Sequence, residues 1–292
     1  MKQPPPRSIG IVANSGKPSA RQTVSELTRL LDARRVPYLF ESGTAKMMRR
    51  GRDGRPLRQV GRKVDMVVVL GGDGTILRAA RELEDAAPLV LGINIGGLGF
   101  LTGIRCAEMA TSLDNILQGR FAISTRHTLL ATVLRQGREP EAHQALNDAV
   151  ISRSAFSRVV RLRLNLDGAL LTDYVCDGMI FATATGSTAY SLSAGGPILL
   201  PTTDAWIVTP ICPHALSNRS VIVGRHSVLR CEPRSAAGDL LLTVDGQVQV
   251  RLRIGDEVEV RPGSRQVRLV VTEGHSYFDV LRQKLKWSGA NV

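Results

Sequence analysis

The sequence predicts an α/β fold in two parts, a parallel α/β half followed by an all-β half, and three observations carry the prediction. The first is Met66 to Leu70 (MVVVL), an uninterrupted apolar run ending in Gly71-Gly72-Asp73-Gly74-Thr75. Such a run reads as a strand buried on both faces, with a ligand-binding turn at its carboxyl end. The second is the opening succession of an apolar strand, Ser8 to Ala13, a helical spacing from Ala20 to Arg34, and a strand from Pro37 to Phe40. A β-α-β succession needs a crossover helix and so a parallel sheet. The third is a change of period: Arg161 to Leu166 and Val248 to Ile254 alternate apolar and polar residues beside Asp167-Gly168 and Asp245-Gly246. Alternation bounded by Asp-Gly turns marks antiparallel strands with one wet face.

The glycine turn invites a phosphate. Gly71, Gly72 and Gly74 lack a Cβ, can take positive φ, and let an anion reach the main-chain amides. Thr75 then caps a helix from Ile76 to about Ala86, whose amino terminus favours negative charge. Asp73 is the one acidic side chain in the turn. Beside phosphates a carboxylate is repelled unless it meets a metal or takes a proton from an attacking hydroxyl. The alternative reading is an ordinary strand-to-helix turn with a solvated Asp.

Around this turn the chain reads in order. Between Lys46 and Lys63 lie eight basic residues and one acid, Asp53, with Gly51, Gly54, Pro56 and Gly61 expected to break any helix. This segment reads either as a mobile loop that closes over a triphosphate or as a solvated one. It holds no aromatic residue for base stacking. Pro88 to Ile93 is a further buried strand, ending in a second glycine turn at residues 94–102, a candidate far wall of a nucleotide cleft. Glu108 to Gln118 is helical. The expected divisions are residues 1–120, residues 121–272, and a tail, 273–292, with Phe278, Leu281 and Leu285 on one stripe packed back on the first part.

The net charge of +12 suits a polyanionic partner without choosing among nucleic acid, lipid and a phosphorylated nucleotide. Four scattered cysteines form no Cys-x-x-Cys pair. Cys212-Pro213-His214 lacks a second ligand pair, so buried reduced thiols are expected rather than zinc. No apolar run reaches membrane-spanning length, and the proline-rich start has no signal-type segment behind it. The expected setting is the cytoplasm.

In the second part Asn147-Asp148 precedes an apolar strand and alone reads as a turn or cap. Asp177-Gly178 precedes Met179 to Ala182, which runs into Thr183-Ala184-Thr185-Gly186-Ser187-Thr188-Ala189-Tyr190-Ser191-Leu192-Ser193-Ala194-Gly195-Gly196-Pro197. Dense small hydroxyls suit a sugar or amide, and Tyr190 offers a ring for stacking. Nothing places a His beside Ser187, which argues against acyl chemistry.

Gly-Gly-Asp-Gly-Thr resembles the signature of the NAD kinases, shared with diacylglycerol and sphingosine kinases and more loosely with 6-phosphofructokinase. Asn147-Asp148, the run from Asp177 to Pro197, residues 209–217 (TPICPHALS), Asp245-Gly246-Gln247 and the tail from Ser276 to Trp287 resemble the later NAD kinase motifs, in the same order. Lipid kinases lack the Gly-Ser-Thr-Ala-Tyr run. The resemblance implies a Rossmann-like α/β domain, a β-sandwich-like domain, and NAD held in the cleft between them. It also implies a homodimer or homotetramer, with no nucleic acid or membrane partner.

Residue by residue, the resemblance makes Asp73 the base and places Gly71, Gly72, Gly74 and Thr75 around phosphate, with Arg78 as a further phosphate contact. Asn147 and Asp148 then hold a nucleoside ribose or base, and Asp177 the nicotinamide end. Thr188, Ala189, Tyr190, Ser191, Leu192 and Ser193 wrap the dinucleotide, and Gln247 closes the site. The chain departs from the family pattern in three places. Asp148 stands where Glu is usual, Ala184 where Pro is usual, and Val175 where a basic residue is frequent, leaving Arg158 as the second basic contact. The implied reaction uses NAD and ATP, or polyphosphate, with a divalent ion such as Mg²⁺ resting mainly on the nucleotide. A lipid kinase, a non-catalytic NAD sensor and a nucleic-acid binder are the alternatives.

Overall fold

The computed structural model describes residues 3–97, 99–153, 159–235, 240–272, 274 and 276–287. The chain forms two compact units, the first of residues 1–125 with 267–292 and the second of residues 126–266.

The first unit begins with β1 (Ile9–Ala13), α1 (Ala20–Ala33), β2 (Tyr38–Glu41), α2 (Ser42–Met47), β3 (Gly54–Arg55) and α3 (Leu57–Gly61). It continues with β4 (Met66–Gly71), α4 (Asp73–Leu83), β5 (Leu89–Asn94), β6 (Ile104–Arg105) and α5 (Met109–Leu117). The strands β3, β2, β1, β4 and β5 pair in that order, all in parallel. Every residue of β1 and β4 is buried, which is why neither strand shows alternation. The apolar stripe of α1 (Val24, Leu27, Leu31) packs on this sheet together with Met109, Leu113 and Ile116 of α5.

Two local expectations fail here. The basic stretch is built into the unit: Leu57 and Val60 of α3 are buried, and β3 extends the sheet beside β2. Proline at position 56 precedes α3, where its missing N–H costs nothing. Two of the basic residues are also engaged, since Arg50 pairs with Asp53 at 2.8 Å and lies over the Phe40 ring, and Arg58 pairs with Glu84 at 2.7 Å. In the tail, α7 (Tyr277–Leu285, numbered after the short α6 below) buries Leu281 while Phe278 stays 52% exposed.

The second unit holds β7 (Ala122–Leu134, from Arg126), β8 (Glu141–Ala145), β9 (Asp148–Arg153), β10 (Val160–Leu166), β11 (Ala169–Cys176) and β12 (Gly178–Thr183). It continues with α6 (Tyr190–Ser193), β13 (Ala205–Ile211), β14 (Val221–Gly224), β15 (Leu229–Ser235), β16 (Leu240–Val244), β17 (Val248–Leu252) and β18 (Glu257–Val271, to Gln266). One antiparallel sheet runs β14-β13-β12-β9-β16-β17, and β11, β10, β15 and β18 form another with β7 and β8. Inward residues of both sheets, among them Leu129, Ile151, Leu162, Phe181 and Val258, share one core. This is sandwich packing. At both Asp-Gly turns the aspartate and the glycine have positive φ, as a tight hairpin demands.

Among the cysteines, Cys176 and Cys231 are buried and Cys212 is exposed. The expectation of buried thiols therefore fails at Cys212, which follows the end of β13.

Phe181 is among the largest side chains with no exposure, at the middle of β12. Its replacement in Phe181→Ala should cost about 3–5 kcal/mol. The check is urea unfolding, with the midpoint lowered and the m-value unchanged.

Candidate active site

In the first unit the candidate residues gather where β1, β4 and β5 end. The chain leaves β4 through Gly71 and Gly72, and α4 starts at Asp73, three residues earlier than the sequence suggested. Thr75 is thus inside the first turn and not its cap. It is 6% exposed, and a Cβ on Gly71 would stand 2.3 Å from its Oγ1. Glycine at 71 serves close packing, since neither it, Gly72 nor Gly74 takes a positive φ. Around Gly72 and Gly74 an added Cβ would meet nothing within 4 Å, which leaves the backbone there open to approach.

Asp73 is anchored rather than freely solvated. Its Oδ2 accepts the Phe100 N–H at 2.8 Å and its Oδ1 the Leu101 N–H at 3.0 Å. The second glycine turn therefore holds the acid of the first. A Cβ at Gly99 would lie 2.0 Å from Asp73 Oδ1, so the chain must be glycine there. Buried Asn94 and Thr102 set the shape of this turn. Asn94 Nδ2 donates to the Gly97 carbonyl at 2.6 Å and to Thr102 Oγ1 at 2.7 Å, and Thr102 Oγ1 accepts the Gly99 N–H at 3.2 Å. On the next turn of α4, half-buried Arg78 reaches the Ala13 carbonyl at 3.5 Å and Glu82 at 3.9 Å. Leu98 and Arg158 lie outside the described residues.

The second unit builds a separate constellation around Asn147 and Asp148. Asp245, at the tip between β16 and β17, accepts three backbone N–H groups: Leu146 at 2.9 Å, Asn147 at 2.7 Å and Asp148 at 3.1 Å. From the other side Thr183 Oγ1 donates to the Leu146 carbonyl at 2.6 Å, and the Asn147 carbonyl accepts the Thr183 N–H. The Asn147-Asp148 step is clamped between two strands. Asp148 itself is 6% exposed. Burial, with Asp245 nearby, pushes its carboxyl up to about 7.

The hydroxyl-rich run divides by role. Ser187 is fully buried, donates to the Ala184 carbonyl at 2.7 Å and accepts the Leu199 N–H at 3.0 Å, stapling two loops. Ser191 is equally buried and shares a hydrogen bond with Thr209 Oγ1 at 2.9 Å. Thr188, Ala189, Leu192, Ser193 and Tyr190 are partly or fully exposed. Gln247 is exposed at the Asp245 tip, and Val175 lies half-buried on β11. Asp177 is gripped by Arg153, Nε to Oδ1 at 2.9 Å and Nη2 to Oδ2 at 3.3 Å.

Sequence reasoning did not single out Asn94 or Arg153. Asp245 stood out as a turn residue and in the Asp245-Gly246-Gln247 motif, but without its grip on residues 146–148. Arg153 pairs with Asp177 because β9 and β12 are neighbours, with Ser152 opposite Gly178, which a linear reading does not display.

The burial of Asp148 has a pH consequence. Its carboxyl is raised from about 3.8 to about 7 in the folded chain, so between those values the native state holds a proton that the unfolded state has lost. The contribution of Asp148 to stability is then greatest below pH 4 and is lost as pH rises through 7. In Asp148→Asn that loss should vanish, a difference on the order of 4 kcal/mol above pH 7. Thermal melts should show the variant melting above the native protein at pH 8, with the gap closing towards pH 4.

Models of the ATP-NAD kinase N-terminal domain and the ATP-NAD kinase C-terminal domain match residues 9–121 and 146–272. The NAD kinase of Geobacter sulfurreducens is 41% identical over 281 residues, which is 96% of this chain and 99% of that protein. The NAD kinase of Syntrophotalea carbinolica is 40% identical over the same shares. The crystal structure of a yeast NADH kinase complexed with NADH matches with a TM-score of 0.91 at 27% identity, over 99% of this chain and 90% of that one. An NAD kinase from Archaeoglobus fulgidus in complex with ATP shares the fold, with a TM-score of 0.74 at 23% identity over 97% and 100% of the two chains. With the glycine turn around Asp73 and near-full-length relatives at this identity, the chain belongs to the NAD kinase family.

Proposed function

We propose that this NAD kinase transfers the γ-phosphoryl group of ATP to the 2′-hydroxyl of the adenosine ribose of NAD, giving NADP, with Asp73 as general base. The observation that carries the reading is the anchoring of the Asp73 carboxylate by two main-chain N–H groups at the first turn of α4. An ionised carboxylate offers about four acceptor positions. The two N–H donors fix its direction and leave acceptor capacity for the ribose hydroxyl. A base in hydrogen-bond reach contributes roughly 10²–10⁴-fold in such a step. The remainder is positioning and charge neutralisation, for which the open backbone at Gly72 and Gly74 and the Arg78 guanidinium are suited.

In the same reading Asn147 and Asp148 meet a ribose or base, Asp177 the nicotinamide end, and Thr188 to Ser193 with Gln247 the rest of the dinucleotide. Among the described residues no group of three or more His, Cys, Asp or Glu side chains could hold a metal ion. Magnesium commonly rests on substrate phosphates and one or two carboxylates. The donor set thus fits an ion borne by ATP, with Asp73 as the protein carboxylate it meets. When bound, that ion neutralises phosphate charge. A homodimer or homotetramer and a cytoplasmic setting belong to the same proposal.

The test is a coupled assay for NADP with NAD, ATP and magnesium, run on the native chain and on Asp73→Asn. The variant should fold and bind NAD while turnover falls at least a hundredfold. Equal turnover would discard Asp73 as the base. If the native protein binds NAD but makes no NADP, either the donor is different or the chain only senses the dinucleotide.

A further inference from the structure

We propose a second anion site in the second unit, a groove that takes an oligophosphate at the edge strand β17. The groove encloses about 520 Å³ and is lined by the β7–β8 turn, by β17 and by the loop after it. Four arginines line it: Arg135, Arg138, Arg251 and Arg253. Two acids also line it, and both are neutralised locally. Asp256 accepts Arg135 Nε at 3.1 Å and the Arg253 N–H at 2.9 Å, and Glu141 lies 3.5 Å from Arg135 and 3.0 Å from His143. Arg138, Arg251 and Arg253 have no carboxylate partner among the described residues. Three unpaired guanidiniums thus face a concave surface whose acids are already satisfied.

Topology explains the cluster. Arg251 lies on the wet face of β17 while Val250 and Leu252 enter the core, and Arg253 follows in the loop directly after the strand. Arg135 fixes the groove's base, since its Nη2 donates to the Arg251 carbonyl on the open side of this edge strand. The β7–β8 turn then brings Arg138 to the rim.

Guanidinium forks match phosphate oxygens bidentately. Among the described residues no aromatic side chain lines the groove, so a nucleobase finds no ring there to stack on. The ligand is therefore read through its phosphates, either as a free inorganic chain or as the phosphate end of a nucleotide. The groove is separate from the Asp245 clamp: the Asp245–Gln247 tip sits before Val248, whereas Arg251 lies near the other end of β17 and Arg253 just beyond it. Three to five residues of strand put the two roughly 10–17 Å apart.

The experiment is calorimetric titration of the whole protein at low salt with sodium tripolyphosphate, and separately with ATP. Native protein should show two classes of sites for tripolyphosphate. Arg251→Glu with Arg253→Glu should lose one class, its Kd rising at least tenfold, while NADP formation stays within twofold. The conservative pair Arg251→Lys with Arg253→Lys should retain that class with weaker affinity. If ATP also fills it, the phosphate end of a nucleotide is accepted; if only tripolyphosphate does, the source is inorganic. Unchanged titrations in the double Glu variant would overturn the site. Because the readout is binding, its failure is distinct from failure of the kinase reading.

Discussion

A carboxylate removed from bulk water must find donors, and in this chain those donors are mostly main-chain amides. Asp73 gathers the N–H groups of Phe100 and Leu101, and Asp245 gathers those of residues 146–148. Glu41, 7% exposed at the end of β2, takes those of Gly43 and Thr44, and the Thr44 hydroxyl passes the chain of bonds on to the Ala13 N–H. Asp73 and Asp245 thereby hold backbone far from them in sequence, whereas Glu41 caps the helix α2 that directly follows its strand. Charge-assisted bonds of this kind are stronger than neutral ones, and leaving a buried partner unpaired is costly. The second glycine turn and the Asn147-Asp148 step are anchored by such bonds.

This arrangement decides what the sequence could disclose. Buried parallel strands announce themselves through composition, so β1, β4 and β5 were legible from MVVVL and its neighbours. Hairpins with Asp-Gly turns were legible because backbone handedness restricts those two positions to few residues. Asp73 was legible because glycines surround it. Its partners were not, since Phe100 and Leu101 contribute amides, and an amide has no letter in the sequence. The clamp that Asp245 makes was not legible for the same reason: its side chain acts on backbone almost a hundred positions away. The start of α4 was misplaced because the first helical residue proved to be the acid itself, with Gly72 as an extended cap.

The basic stretch is a related lesson. Its glycines and proline suggested a loop, yet Leu57 and Val60 supplied enough apolar surface to seat α3. Tertiary burial outweighed local propensity. Conversely, Ser187 and Ser191 looked like ligand hydroxyls and proved to be fully buried staples. Small hydroxyl residues serve both purposes, and only the packing separates them.

The unequal burial of the cysteines makes one position chemically addressable. Burial raises the Cys176 thiol to about 11 and that of Cys231 well above its ordinary value, so neither forms the thiolate that reacts with an electrophile near neutral pH. Cys106 is partly buried, with its thiol turned to the Asn94 carbonyl at 3.1 Å. Cys212 is exposed and directly follows Ile211, whose carbonyl accepts the Asp177 N–H. A maleimide fluorophore on the unaltered chain would therefore report preferentially from beside Asp177 and Arg153. The native protein carries its own attachment point for watching that pair respond to a ligand, without an engineered residue.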